Sequence, residues 1–419
     1  MLAYKVTEAR VFNKPIIHKP ELRPLSEIAL KVVSSNFLLY KTLPNLPEQY
    51  KEKVYDMISV DYHIEETFPV IDYEPFWRRS CESHFKSDDC SINGNSWKQC
   101  YAENYVKDLI STYNCKSKTE SDLQSLIKIC QMVKYYIFNL DIPTFSCDFD
   151  ISYIPQFFAN LTTLNLKYSP VLQEKTQVDL FSKKLEPIKE EYTEFGIRIP
   201  DLKKFCISIT ELSYFLSLSL QGNLVDDEMI KWLVPGLITN QTLRYLDLSS
   251  NKITSKGMIK IASYLIRTRS LLTLDLSNNL ITGEASFAVG LVIKENTRLK
   301  VLKLAMNRFD DESGGRIVKM LAKNIYLDEL DLSTNKLGKD TIDNLHVALK
   351  YNSAVKKISF CNSDVEITEE TKKIAGAHPN LIELNVRSTK TLEKDVKQLE
   401  EVLIRKSIKI QLGNKKKLI

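Results

Sequence analysis

The sequence predicts an α/β solenoid: short parallel strands alternating with helices, preceded by a mainly α-helical N-terminal domain. Three observations carry that expectation. A pattern of the form LxxLxLxxN recurs every 28 residues through the second half of the 419-residue chain. A helix-spaced apolar pattern follows each copy. Residues 1 to about 150 show neither, yet they hold Trp77, Trp97 and six of the eight cysteines. With 43% hydrophobic residues the chain can bury a core, so global disorder is excluded. Glycine is scarce, 12 residues where average usage gives roughly 29. That argues against phosphate-cradling enzymes, which need glycine-rich turns.

In residues 1–150, the apolar clusters Ile28–Val33 and Val106–Ile110 and the run Leu123–Phe138 read as helices. Such a domain is expected to cap the open end of the solenoid, assigned to 151–404. Leu161-Thr-Thr-Leu164-Asn-Leu166 reads as its first strand. The following stretch, 169–198, is charged and poorly periodic, and reads as an insertion. Phe215 lies 54 residues beyond Leu161, nearly two periods, so a degenerate second repeat is the other reading.

From Phe215 the pattern is regular. Copies begin at Phe215, Leu243, Leu271, Leu299 and Leu327, with weaker ones at Val355 and, after 26 residues, Leu381. Alternating pairs such as Leu246 and Leu248 point to one face of a strand. The column Asn223, Asn251, Asn279, Asn307 and Asn335 is suited to bond backbone groups where the chain leaves each strand. Ile261, Val289, Ile317 and Leu345 align, as do Leu265, Ile293, Leu321 and Leu349 four residues on, which marks the inner stripe of a helix. One strand and one helix per 28 residues is a leucine-rich-repeat horseshoe in its long, ribonuclease-inhibitor-like form. Truncating a packed leucine, Leu246 or Leu276, to alanine is expected to cost about 2–5 kcal/mol.

Ser363 and Thr389 replace the asparagine in the last units, as terminal repeats allow. Leu392, Val396, Leu399 and Leu403 lie at helical spacing and suit a final cap. The tail, 405–419, carries Arg405, Lys406, Lys409, Lys415, Lys416 and Lys417 and no acidic residue. The formal net charge of +5 belongs to it: without those six, 52 basic residues face 53 acidic ones. Such a run reads either as a solvated terminus or as a contact for an acidic surface.

On the concave face, the strand positions between buried leucines should point outward. They are Tyr245, Asp247, Thr273, Asp275, Val301, Lys303, Glu329, Asp331, Lys357, Ser359, Glu383 and Asn385. One row, Asp247, Asp275, Lys303 and Asp331, is mostly acidic and suits a basic partner segment, against the plainer reading of a solvated face. Cys81, His84, Cys90 and Cys100 include zinc-ligand types but lack CxxC pairing, so reduced buried cysteines and no metal are expected. The five histidines are scattered, His346 reading as a partly exposed helix residue, and Gly314-Gly315 lacks the Lys-Ser or Lys-Thr of a phosphate loop. No enzyme activity and no cofactor are expected. The N-terminus lacks a secretory layout and no run of about 18 apolar residues occurs, so a chain kept inside the cell and off the membrane is expected. The modest charge likewise implies no nucleic acid.

The block Phe76-Trp77-Arg78-Arg79-Ser80-Cys81, with Gly94-Asn-Ser96-Trp97-Lys98 and Glu103-Asn-Tyr-Val-Lys-Asp-Leu109, resembles the T-complex-associated testis-expressed leucine-rich-repeat family, that of dynein regulatory complex subunit 5. Pro24-Leu25 through Val33-Ser-Ser-Asn36-Phe37 and the Leu43–Pro47 turn resemble it too. The resemblance implies a non-catalytic scaffold or adaptor subunit of the nexin–dynein regulatory complex in the axoneme of motile cilia. Its implied partners are other subunits of that complex, doublet microtubules and inner dynein arms. The alternative is a GTPase-activating protein of the Ran-regulator type, built from similar repeats but ending in an acidic tract where this chain ends basic.

Overall fold

The computed structural model describes residues 24–39, 43, 46–113, 120–143, 149–167 and 197–415. The chain forms two compact units, Met1–Lys86 and Ser87–Ile419. The division therefore falls well before the expected boundary at 150. The helix Trp97–Ser111 packs against Asn139–Ile142, the first strand of the solenoid, and so joins that unit.

In the first unit, helices Leu25–Ser35, Glu48–Met57 and Glu74–Phe85 enclose a small core. Phe76, Trp77 and Cys81 are buried in it. The Trp77 ring meets Phe68 and Phe76 edge-on, and its Nε1–H donates to the Ile71 carbonyl at 3.1 Å. Arg79 donates to the Tyr55 carbonyl at 2.6 Å, at the end of the Glu48–Met57 helix where carbonyls lack helical partners. The Trp-Arg block that carries the family resemblance thus staples this unit together.

The second unit is built on a nine-stranded parallel sheet in strictly sequential order. Its strands are β1 (Asn139–Ile142), β2 (Thr163–Leu166), β3 (Ser217–Ser219), β4 (Tyr245–Asp247), β5 (Thr273–Asp275), β6 (Val301–Lys303), β7 (Glu329–Asp331), β8 (Lys357–Ser359) and β9 (Glu383–Asn385). Leu161–Leu166 therefore supplies the second strand, not the first; β1 precedes it, with Leu140 and Ile142 buried. Thr163–Asn165 pairs directly with Ser217–Ser219, so no repeat strand lies between them. This favours the insertion reading over a degenerate repeat. Most of the 169–198 segment lies outside the described residues.

Each repeat buries both of its expected columns. Leu246, Leu274, Leu302 and Leu330 lie in register across β4–β7 and are buried, as are the helix positions Ile261 to Leu345 and Leu265 to Leu349. The asparagine ladder then ties neighbours together. Asn279 Nδ2 donates to the carbonyls of Leu248 and Leu276 at 3.0 Å each and of Ser277 at 3.3 Å, while its Oδ1 accepts from Ile253 N–H at 3.0 Å. Asn251, Asn307 and Asn335 repeat this arrangement. The preceding residue turns left-handed in each unit from β3 to β9: Gly222, Ser250, Asn278, Met306, Thr334, Asn362 and Ser388 all have φ between 52° and 70°. Only the first is glycine. Residues that ordinarily avoid this region, Met306 and Thr334 above all, are held there because the ladder over-determines the backbone.

A second ladder runs at the opposite end of the helices, and the sequence reading missed it. Asn240, Asn296, Asn324 and Asn352, each buried, end four of the repeat helices, with Thr268 in the same place on the helix between the first two. Each asparagine reaches back to a carbonyl of the preceding repeat; Asn352 Nδ2 meets Leu321 O at 2.7 Å. Their Oδ1 atoms accept from backbone N–H groups at the entry of the next strand. In the shortened last repeat His378 takes this place, its Nδ1 accepting from Leu381 N–H at 2.9 Å. A third device links helix starts. The Asp311 carboxylate accepts from the N–H groups of Gly338, Asp340 and Thr341, each within 2.9 Å. Burial alone would raise its pKa, but these bonds outweigh it and hold the carboxyl below the usual range.

The final helix, Glu393–Lys415, seals the sheet with Leu399 and Leu403, whereas Leu392 is 70% exposed and contributes little. Buried Lys372 bonds Asp395 at 2.6 Å, Glu369 at 2.7 Å and Gln398 at 2.8 Å, latching this helix to its neighbour. The backbone of this helix runs unbroken past Ile404, so 405 is not a structural boundary. No helix of the described residues is long and apolar enough to cross a membrane.

His346 is buried rather than partly exposed, its Nε2 2.7 Å from Thr371 Oγ1. The next helix, Glu369–Ala377, covers it. Burial depresses its pKa below 6.5, against the pull of Glu370 and Asp343 and with Lys350 adding to the depression. A histidine kept neutral in the fold contributes stability above its unfolded pKa, lost as pH falls through the folded value. The expected result is a melting temperature that drops as pH falls below the ordinary histidine value of about 6.5, with a smaller drop in His346→Gln. Equal slopes in the two proteins would contradict this.

Candidate functional site

The sheet face opposite the helices assembles as the strand pattern requires. The register aligns Tyr245, Thr273, Val301, Glu329, Lys357 and Glu383 in one row. It aligns Asp247, Asp275, Lys303, Asp331, Ser359 and Asn385 in a second. Both rows are half-buried or exposed, flanking the fully buried leucines.

The acidic row has a local job before any partner arrives. Asp247 Oδ1, Asp275 Oδ1 and Asp331 Oδ1 each accept from the backbone N–H two residues on, at 2.9 Å, turning the chain out of its strand. One oxygen of each carboxylate is so engaged. The second oxygen of Asp247 accepts from Ser219 Oγ at 3.1 Å, and that of Asp275 lies 3.6 Å from Lys303 Nζ. Lys303 therefore interrupts the stripe and neutralises part of it; in the other row Lys357 pairs with Glu383 at 3.4 Å. Tyr245 has its phenol pKa raised by burial and by the charges of Asp247 and Asp275. The row extends further than the sequence reading took it, since Asn165 and Asp141 continue it through β2 and β1, bonded at 2.7 Å. Recognising β1 from the Leu140-x-Ile142 alternation would have revealed them.

The other candidates do not converge. Cys81, Cys90 and Cys100 are buried and His84 is exposed; among the described residues no group of three or more such side chains can hold a metal ion. Gly314 and Gly315 sit inside the Asp311–Lys319 helix, not in a loop. A Cβ on Gly314 would come within 2.4 Å of Leu337 Cδ2, so glycine here permits close packing of adjacent repeats. Arg405, Lys406, Lys409 and Lys415 lie on the last helix, but their side chains, like Lys416 and Lys417, are outside the described residues.

Register, ladders and helix columns together define a leucine-rich-repeat protein with a strand and a helix in each unit. A leucine-rich-repeat family model matches residues 239–262. Within that class the chain is similar to dynein regulatory complex subunit 5, as the N-terminal block led us to expect. The Chlamydomonas reinhardtii protein of that name is 25% identical over 213 residues, half of each chain. The Homo sapiens one is 22% identical over 248 residues, 56% of this chain and 49% of that one. The chain thus spans about half the length of the curated relatives it matches. The solved structure of an internalin from Listeria monocytogenes is a more distant likeness, with 16% identity over 69% of this chain and 75% of that one at a TM-score of 0.39.

Proposed function

We propose that the protein is a subunit of the dynein regulatory complex and acts there as a non-catalytic scaffold, holding other subunits on its repeat surface in the axoneme of motile cilia. The observation that carries this reading is the shared name of its relatives in organisms as distant as an alga and a human. The architecture supports it, since three ladders of inter-repeat bonds stiffen a sheet whose exposed rows vary in charge. On this reading doublet microtubules and inner dynein arms are neighbours, and the basic tail meets the acidic microtubule exterior.

Fractionation of cilia tests it. The protein should stay with salt-washed doublets; quantitative release into the soluble pool would refute the scaffold role. Stimulation of a small GTPase would instead revive the alternative of a GTPase-activating protein. Within the proposed role, the acidic row is the docking site for a basic partner segment. Reversing both Asp247→Lys and Asp275→Lys should weaken partner capture by about tenfold or more, with a steep salt dependence. Each change also removes a strand-exit acceptor, so capture must be compared with Asp247→Asn and Asp275→Asn, which keep an acceptor oxygen. Unchanged capture in the reversed variant rules the stripe out.

A further inference from the structure

On the edge where helices hand over to strands, the units around β4, β5 and β6 form a pocket of about 300 Å³. Four arginines from the turns that enter β4, β5 and β6 line it: Arg244, Arg267, Arg269 and Arg298, with Thr268 and Ser270 between them. Arg244 is placed by its own Nη1, which donates to the Ser270 carbonyl at 2.8 Å, while Arg267, Arg269 and Arg298 are exposed. The two hydroxyls are 3.0 Å apart.

The charge balance here differs from the rest of this edge. Further along it, Lys300 and Lys356 both share Asp328, at 4.0 and 3.1 Å. Among the described residues no ion pair engages any of the four arginines. The end of the Ser255–Arg267 helix favours one cation through its dipole, which accounts for Arg267 but not for four guanidiniums from three neighbouring turns. Gathering like charges without a counter-charge is unfavourable, and a bound anion removes the penalty.

We propose that this pocket is a phosphoryl-binding site. The guanidinium fork matches the oxygens of a phosphoryl group in bidentate fashion, and of the bonded Thr268 and Ser270 hydroxyls one keeps a hydrogen to donate to a third oxygen. A phosphoryl group near neutral pH carries close to two negative charges, against one for a carboxylate, so it suits four unpaired cations better. The group reaches the pocket either as free phosphate or on a phosphorylated serine or threonine of a partner chain.

Calorimetry on the full chain distinguishes these, using inorganic phosphate, a short phosphoserine peptide, and the same peptide with glutamate or unmodified serine. The expected result is saturable binding of a phosphoryl probe, with the glutamate and serine peptides weaker by about tenfold or more. Tighter binding of the phosphopeptide than of phosphate identifies a phosphorylated chain as the source; equal binding identifies free phosphate. Arg298→Glu and Arg269→Glu should each weaken binding by about tenfold or more without moving the melting temperature, and Arg298→Lys should recover it only in part. The site is refuted if no probe saturates, if glutamate binds as well as phosphoserine, or if neither charge-reversed variant changes the affinity. None of these outcomes bears on retention in the axoneme.

Discussion

Replacing Asn279 with alanine is expected to destabilise the solenoid by about 2–3 kcal/mol, a large fraction of a typical domain's stability. The Ile253 N–H loses its partner, and the carbonyls of Leu248, Leu276 and Ser277 each lose one of two donors, keeping Asn251 Nδ2, Asn307 Nδ2 and the Ser250 N–H. The site is buried, so the orphaned N–H costs about 1–3 kcal/mol, and the three weakened carbonyls add to it. Asparagine is needed because it both donates and accepts; aspartate has no donor and should be nearly as damaging. Serine is the informative control. The natural repeat at Ser363 keeps a single bond, Oγ to the Phe360 carbonyl at 2.5 Å, so Asn279→Ser should lie between the two. Denaturant titration of the full chain checks this. Because each repeat leans only on its neighbours, the alanine variant should also split the unfolding transition. A loss below about 1 kcal/mol would mean that the ladder is not what holds the strand exits.

The second large effect is at Glu103. Its side chain is 4% exposed, and its Oε1 accepts from Phe138 N–H at 2.9 Å and Asn139 N–H at 2.8 Å, where β1 would otherwise present unpaired edge donors. Gln99 Nε2 reaches the same oxygen at 3.0 Å, and Asn93 bonds the other. Burial raises the pKa of this carboxyl despite those four bonds. Glu103→Ala should therefore cost about 3 kcal/mol, by stripping two buried N–H groups and opening a cavity. Glu103→Gln should cost under about 1 kcal/mol, since one amide oxygen keeps the three bonds that matter and Asn93 can turn its own amide to match. Hydrogen exchange at Phe138 and Asn139 should rise in the alanine variant alone. If glutamine proved as damaging as alanine, the role of Glu103 would be its charge rather than its capping of the edge.

This residue also explains the resemblance by which the chain was first placed. The Glu103–Leu109 stretch lies on the helix that covers the first strand of the sheet, and the Phe76–Cys81 stretch is the core of the other unit. Both blocks are distinctive because they are structural keystones, not because they carry chemistry. Nothing in their spacing shows this, since the contacts span 35 and 36 residues and occur once each.

The periodic part of the molecule was determined by the sequence itself. A register that repeats every 28 residues writes the same local instructions many times, so strand, asparagine and helix columns could be read without knowing any contact. The outward rows Tyr245 to Lys357 and Asp247 to Asp331 followed from alternation alone. What only the tertiary structure decided lies where the period fails or where charges meet. It moved the start of the sheet back to β1, placed the unit boundary at Lys86, and buried His346 under the following helix. It also showed Lys303 closing on Asp275, and four arginines from three neighbouring turns lining one pocket with no ion pair among the described residues. Local sequence dictates which face a residue occupies; which other charge or donor it meets there depends on neighbours a whole repeat away, and only the folded chain brings them together.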